Sequence, residues 1–213
     1  MPFSEFPTEI IPLFPLNVVL FPQSLLPLHI FEERYKTLIS ECITYDNEFG
    51  INLIHEQEIR SIGCTAVVKE VTKRYADGKV DIIVEGRRRY TLLNLVEAPH
   101  PYYSGRISWF KDIPEDHNDD LSVRAVQLYN QFVTVVFSGS VKQVQENDIR
   151  QTRSFYLVQK SGLDLIQRQI FLSMNSENKR LEFLIQHFES LIPLLISKKK
   201  VEELAKNDGY MQE

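Results

Sequence analysis

Between Ile10 and Phe31 the chain carries no Asp, Glu, Lys or Arg, yet Pro12, Pro15, Pro22 and Pro27 interrupt it four times. An apolar run of this length reaches the roughly 20 residues that a membrane helix needs. Proline removes a backbone donor and breaks helical hydrogen bonding, however, and a bilayer offers no water to satisfy the orphaned groups. Asn17, Gln23, Ser24 and His29 add polar side chains to the same stretch. An export signal needs a basic start, but Glu5 and Glu9 come early and the first basic residue is Arg34. The expectation is a segment neither exported nor inserted, with no membrane as partner and a cytoplasmic location.

A chain of 213 residues can bury roughly 70% of its unfolded surface, so it needs no metal or disulfide to hold a core. The two cysteines, Cys42 and Cys64, stand far apart in apolar surroundings and are expected to be reduced, buried thiols. A net charge of -5 gives no general attraction to nucleic acid. The runs Arg87-Arg88-Arg89 and Lys198-Lys199-Lys200 are local exceptions. On a regular strand, alternation would send Arg88 to the face opposite its neighbours.

The first half is rich in β-branched residues and turns; the second reads as helix. Phe31, Tyr35, Leu38, Ile39 and Cys42 recur at helical spacing, with Glu32 and Lys36 placed for an i,i+4 ion pair, which predicts a helix from Glu32 to Tyr45. Strands are predicted at Phe49 to Ile54, Cys64 to Thr72, Val80 to Glu85, Tyr90 to Val96 and Tyr103 to Phe110, with a tight hairpin at the Asp-Gly of Ala76 to Lys79. At Lys111 to Asp120 apolar residues almost vanish, and the domain boundary is placed there, giving a β-rich subdomain over residues 1–113 and a helical subdomain over residues 114–213. Asp112, Glu115, Asp116, His117, Asp119 and Asp120 lack the glycine and spacing of a calcium loop and read as a solvated linker that caps the next helix. Val126, Tyr129, Phe132, Val133 and Val136 mark one helical face. Shorter helices at Phe155 to Gln159 and Leu163 to Leu172 flank the stop signal Ser161-Gly162. Leu181, Leu184, Ile185, Phe188, Leu191, Ile192 and Leu195 form the core face of a last helix, capped by Asn175 or Ser176 and interrupted by Pro193, where a kink or break is expected.

No chemistry announces itself. The eight glycines form neither a dinucleotide nor a P-loop fingerprint, His55-Glu56 lacks the second histidine of a zinc-protease helix, and there is no G-x-S-x-G elbow. Ser176 to Lys179 and Ser197 to Lys200 match S-x-x-K in form but lack the companion segments of the enzymes that use it. No catalytic residue, metal ligand or cofactor is assigned.

The opening PLFPLNVVLFPQSLLPLHIFEERY, the strand pair IGCTAVVKEV and DGKVDIIVEGRRR, and the late helix NKRLEFLIQHFESLIPLL occur in an order that resembles the amino-terminal, substrate-binding domain of Lon-type ATP-dependent proteases, especially free-standing bacterial proteins made of that domain alone. The resemblance implies an α+β fold: a PUA-like β pseudobarrel with one helix, followed by a helical bundle. It implies that Phe14, Leu16, Phe21, Leu28 and Phe31 form core, and that Pro15, Phe21, Pro22, Pro27, Phe31, Arg34, Tyr35, Glu85, Gly86 and Arg89 are structural motif residues. Within that motif, Gly86 would permit a bend and Arg89 an ionic or backbone contact. Nothing in the 213 residues resembles the ATPase module or the Ser-Lys protease domain, so ATP hydrolysis and proteolysis are not expected. The resemblance implies a non-enzymatic module for unfolded or partner polypeptides and leaves a separate Lon protease open as a partner. Leu25, Tyr102, Tyr103 and Trp109 are the candidate peptide anchors. A PUA-like RNA-binding module using Arg74, Arg87, Arg88 and Arg89, and a small-molecule receptor, are the alternative readings.

Overall fold

The computed structural model describes residues 8–138, 140–145 and 153–207. By internal contacts the chain forms two compact units: Met1–Ile113 with Asp164–Asn175, and Pro114–Leu163 with Ser176–Glu213. Residues 164–175, which the sequence reading places in the helical subdomain, thus group with the β-rich unit. Among the described residues no helix is long and apolar enough to cross a membrane.

The first unit is built on β1 (Thr8–Leu13), β2 (Leu25–Ile30), α1 (Glu33–Tyr45), β3 (Phe49–His55), β4 (Glu58–Arg74), β5 (Val80–Val96) and β6 (Tyr103–Trp109). The strand order is β2-β5-β4-β3-β1-β6, and β6 pairs again with β5. Five strands therefore close on themselves, and β2 lies outside the circuit on β5. This is a pseudobarrel in an α+β chain. The long β5 makes the closure possible: Val80–Glu85 pair with β2, Tyr90–Val96 pair with β6, and β4 follows it along both halves. The sequence reading divides this strand in two; Gly86 does not interrupt it. The Asp-Gly hairpin forms as expected, with Gly78 at φ 80 and the Tyr75 amide donating to the Lys79 carbonyl at 2.9 Å.

Each of the four prolines from Pro12 to Pro27 falls where a missing N–H costs little. The amides of Phe14 and Leu16 donate to the carbonyls of Gly50 and Asn52 on β3, so the intervening Pro15 presents its nitrogen to the other side. Pro12 shares the direction of Phe14 but lies before the β1–β3 ladder begins at Leu13 and Gly50. Pro22 sits in a turn fixed by Ser24, whose hydroxyl donates to the Phe21 carbonyl at 2.7 Å. Pro27 lies on β2, which pairs with β5 alone among the described strands, so edge geometry accommodates it.

Gly86 is needed for a close backbone approach. Its amide donates to the Ser24 carbonyl and its carbonyl accepts from Gln23, which brings the Phe21 carbonyl so close that a Cβ at position 86 would stand 2.1 Å from that oxygen. Immediately after it, Arg87 and Arg88 together oppose Thr65, since Ala66 pairs with Gly86 and Cys64 with Arg89. The Thr65 hydroxyl accepts from the Arg88 amide at 3.1 Å and donates to its carbonyl at 3.3 Å. This β-bulge replaces simple alternation: Arg87 and Arg88 are both exposed, and Arg89 and Tyr90 are both buried.

Turned inward, the Arg89 guanidinium donates to the carbonyls of Leu172 at 2.8 Å and Met174 at 2.6 Å, contacts Asp112 and stacks on Phe110. The two carbonyls terminate α4 (Leu165–Leu172), where a cation is favoured by the helix dipole. An Asp164–Gln167 capping box starts that helix, Gln169 donates to the Ile62 carbonyl at 3.0 Å, and Phe171 meets Phe21 edge-on at 5.8 Å.

The main core of this unit joins α1 to the sheet. Tyr35, Leu38, Ile39 and Cys42 are buried with Phe14, Leu20, Phe49, Ile51 and Ile82, and Phe14 stacks on Tyr35 at 3.9 Å. Phe21 is buried, and Leu16 and Leu28 are partly buried against this core, but Phe31 is 58% exposed, which corrects the expectation that it is core. It follows the last β2 residue and precedes α1, so neither element's inward face includes it. The expected Glu32–Lys36 pair also gives way: Glu32 holds Arg34 at 2.8 Å, while Lys36 reaches Glu33 at 2.8 Å and the Asp77 carbonyl.

In the second unit, α2 (Asp119–Phe137) and α5 (Glu177–Asn207) bury Val126, Tyr129, Phe132 and Val133 with Leu181, Leu184, Phe188 and Ile192. Val136, expected on the same face, is exposed. Asn118 caps α2. Ser176 caps α5 by accepting from the Lys179 amide, and Glu115 accepts from both Ser176 and the Asn178 amide. Against the upward push of desolvation, these donors hold the Glu115 carboxyl below its usual range. α5 runs unbroken through Pro193. A short α3 (Arg153–Leu157), followed by a 3-10 turn at Val158–Lys160, also belongs to the unit, with Ser154 held by Glu177 and the buried Arg180.

Two substitutions probe these contacts. Gly86→Ala is expected to lower stability by about 2 kcal/mol because the obstructing atom is backbone; an unchanged denaturation midpoint would contradict the close approach. Arg89→Met removes the donor to the Leu172 and Met174 carbonyls and the contact with Asp112, and an expected loss of about 3 kcal/mol, with partial recovery in Arg89→Lys, is readable in the same titration. Equal stability of the two variants would refute the clamp.

Candidate functional site

A concave feature of the β unit lies where β5 ends and β6 begins. Arg34, Leu95, Glu97, Pro101, Tyr102 and Tyr103 line an open groove of about 640 Å³. Its walls are fixed by pairing: Leu95 faces Gly105 and Val96 faces Ser104 in the β5–β6 ladder, and Tyr103 pairs with Leu13 across β6 and β1. The connecting residues carry Pro99 and Pro101, which restrict the backbone between the paired ends.

Tyr103 is 43% exposed and Leu95 48% exposed, so the groove offers an aromatic and an aliphatic surface to solvent. The Arg34 guanidinium lies 4.5 Å from the Tyr35 ring and 5.5 Å from the Tyr103 ring while binding Glu32. Burial pulls its pKa down, but the hydrogen bond to Glu32 and the neighbouring phenols outweigh this and leave it raised. Tyr102 is buried beneath, stacked on His100 at 4.9 Å with its hydroxyl donating to Glu41. Burial first, then the Glu41 bond, raises its pKa and keeps the phenol protonated.

Of the four anchors proposed from sequence, the structure brings Tyr102 and Tyr103 together, with Tyr102 as floor and Tyr103 as exposed wall. Leu25 is 52% exposed on β2 and Trp109 is half-buried; neither lines the groove. Trp109 packs on Ile11, Leu13, Tyr90 and Ile107, and its ring carries Arg88 at 3.6 Å. Among the motif residues, Pro15, Phe21, Tyr35, Gly86 and Arg89 are buried, Pro22, Arg34 and Glu85 are partly buried, and Pro27 and Phe31 are exposed. Arg34 alone of these joins the groove. Leu95, Glu97 and Pro101 were not anticipated; the nearest signal is the APHPYY segment, whose prolines precede the two tyrosines.

The thiols do not add reactivity. Cys42 and Cys64 are free and buried, and burial pushes each up to about 12, aided at Cys42 by Glu41. A thiolate is scarcely populated at neutral pH under those conditions.

Similarity to known proteins extends over most of the chain. It is 22% identical to the Lon protease of Cytophaga hutchinsonii over 99% of its own length, and 23% identical to that of Escherichia coli K12 over 92%. The chain spans about a quarter of these relatives, 27% and 26% respectively. In solved structures, a Lon N-terminal domain protein from Xanthomonas campestris matches 84% of this chain and 98% of its own at a TM-score of 0.65 and 22% identity. The N-terminal domain of the Mycobacterium avium complex Lon protease matches 85% and 98% at a TM-score of 0.65 and 18% identity. These two share the fold. The family description that matches residues 10–190 covers the pseudobarrel and most of the helical unit, and the chain belongs to the ATP-dependent protease La (LON) substrate-binding domain family.

Proposed function

We propose that this chain is a non-enzymatic, cytoplasmic module that binds unfolded or partner polypeptides, with the β5–β6 groove as its contact surface. The observation that carries the reading is that exposed Tyr103 and Leu95 line one groove in a substrate-binding-domain family member. A large ring with few rotatable bonds supplies contact area at low entropic cost, which is why such residues dominate binding energetics. Tyr102 lines the same groove as a buried ring, and Leu25 on the β2 edge is a second contact for an extended chain. A separate Lon protease is a further partner on this reading, with the module delivering or withholding its substrate.

Fluorescence anisotropy with labelled unfolded polypeptide, over a salt series, tests the assignment. Saturable binding that tolerates salt is expected, and Tyr103→Ala should weaken it about tenfold without moving the thermal midpoint. Unchanged affinity in that variant would remove Tyr103 as an anchor. Binding of labelled RNA alone, collapsing as salt rises, would instead favour the nucleic-acid alternative.

A further inference from the structure

Charged side chains stand around the groove. Arg34 is its one lining cation among the described residues, and its charge is met by Glu32 through contacts of 2.9 and 2.8 Å. Two further carboxylates stand at the same place: Glu97 lines the groove, and Glu41 holds the hydroxyl of the lining Tyr102. A phenol donates a hydrogen bond but carries no balancing charge. Among the described residues neither Glu41 nor Glu97 has an ion-pair partner. The apolar walls are thus framed by negative charge in excess.

Resting on the polypeptide-binding reading, we infer that the groove takes an aromatic or aliphatic side chain adjacent in sequence to lysine or arginine, and disfavours the same side chain beside glutamate or aspartate. The apolar residue lies against Tyr103 and Leu95, and the neighbouring cation meets Glu97 and the Glu41 side of the floor. Rim charges of this kind act on selection and association rate more than on total affinity, because water and salt screen them. The preference is therefore modest, about fivefold at low ionic strength, and shrinks as salt is added.

The test uses the full chain and two labelled peptides that share one phenylalanine- and leucine-containing core, flanked by lysines in the first and by glutamates in the second. The lysine-flanked peptide should bind about fivefold tighter, Glu97→Gln should cut that ratio, and Glu97→Lys should invert it. Glu56→Lys serves as control: this exposed turn residue lies outside the groove lining, so its reversal should leave the ratio nearly intact. Equal affinities, or equal effects of the Glu97 and Glu56 reversals, overturn the inference. If both peptides still bind and Tyr103→Ala still weakens them, the polypeptide-binding reading survives that failure. If neither peptide binds, both fall together.

Discussion

The carbonyl oxygen of Phe21 occupies the space that a side chain on residue 86 would need. Much of the β unit depends on that approach. β5 must serve β2 over its first half and β6 over its second, and the proline segment has to meet it between the two. Hydrogen bonds from Gln23 to Gly86 at 2.7 Å and from Gly86 to Ser24 at 2.9 Å fix the meeting, with Gln23 held at φ 61. One residue later the strand bulges against Thr65, and that shift turns Arg89 inward to the end of α4. A backbone contact, a bulge and a buried cation thus form one chain of cause, in which the first places the last.

The prolines follow the same logic of donors. A strand interior tolerates proline only where the missing N–H has no partner to lose. Pro15 alternates with the donating amides of Phe14 and Leu16, and Pro27 lies on the outermost strand. The apolar side chains between them remain available for the core, as buried Phe14, Val19, Leu20 and Phe21 illustrate. The stretch therefore combines high hydrophobicity with a backbone that does not support a continuous helix.

Local patterns were legible in the sequence, and so was the family resemblance. The buried face of α1, the Gly78 hairpin and the core face of α5 all rest on periodicity or on one residue's conformational preference. The bulge at Arg87-Arg88 was not legible, because it answers to Thr65 on another strand rather than to its own neighbours. The return of 164–175 to the β unit is set by contacts with Ile62 and Arg89, more than seventy residues away in sequence. Phe31 fits the helical spacing of α1, yet it precedes the helix and escapes the core. The same distinction divides the groove: two adjacent tyrosines stand out in a sequence, whereas Leu95 and Glu97 acquire meaning only once β5 and β6 pair and Arg34 of α1 lines the same groove.

The groove's construction also bears on how discriminating such a module can be. Its floor is immobilised, since Tyr102 is stacked on His100 and bonded to Glu41 of α1, while the walls leave paired strands. On the proposed reading, a floor held this way needs little ordering when a chain docks, which preserves contact energy. Directional recognition is sparse, however, because Arg34 is engaged by Glu32 and the Tyr102 hydroxyl is committed to Glu41. Apolar contact area and the sign of neighbouring charge are the properties left to read. On the proposed reading, a rigid surface with few directional bonds accepts many sequences and ranks them by composition, the behaviour suited to recognising exposed segments rather than one fixed motif.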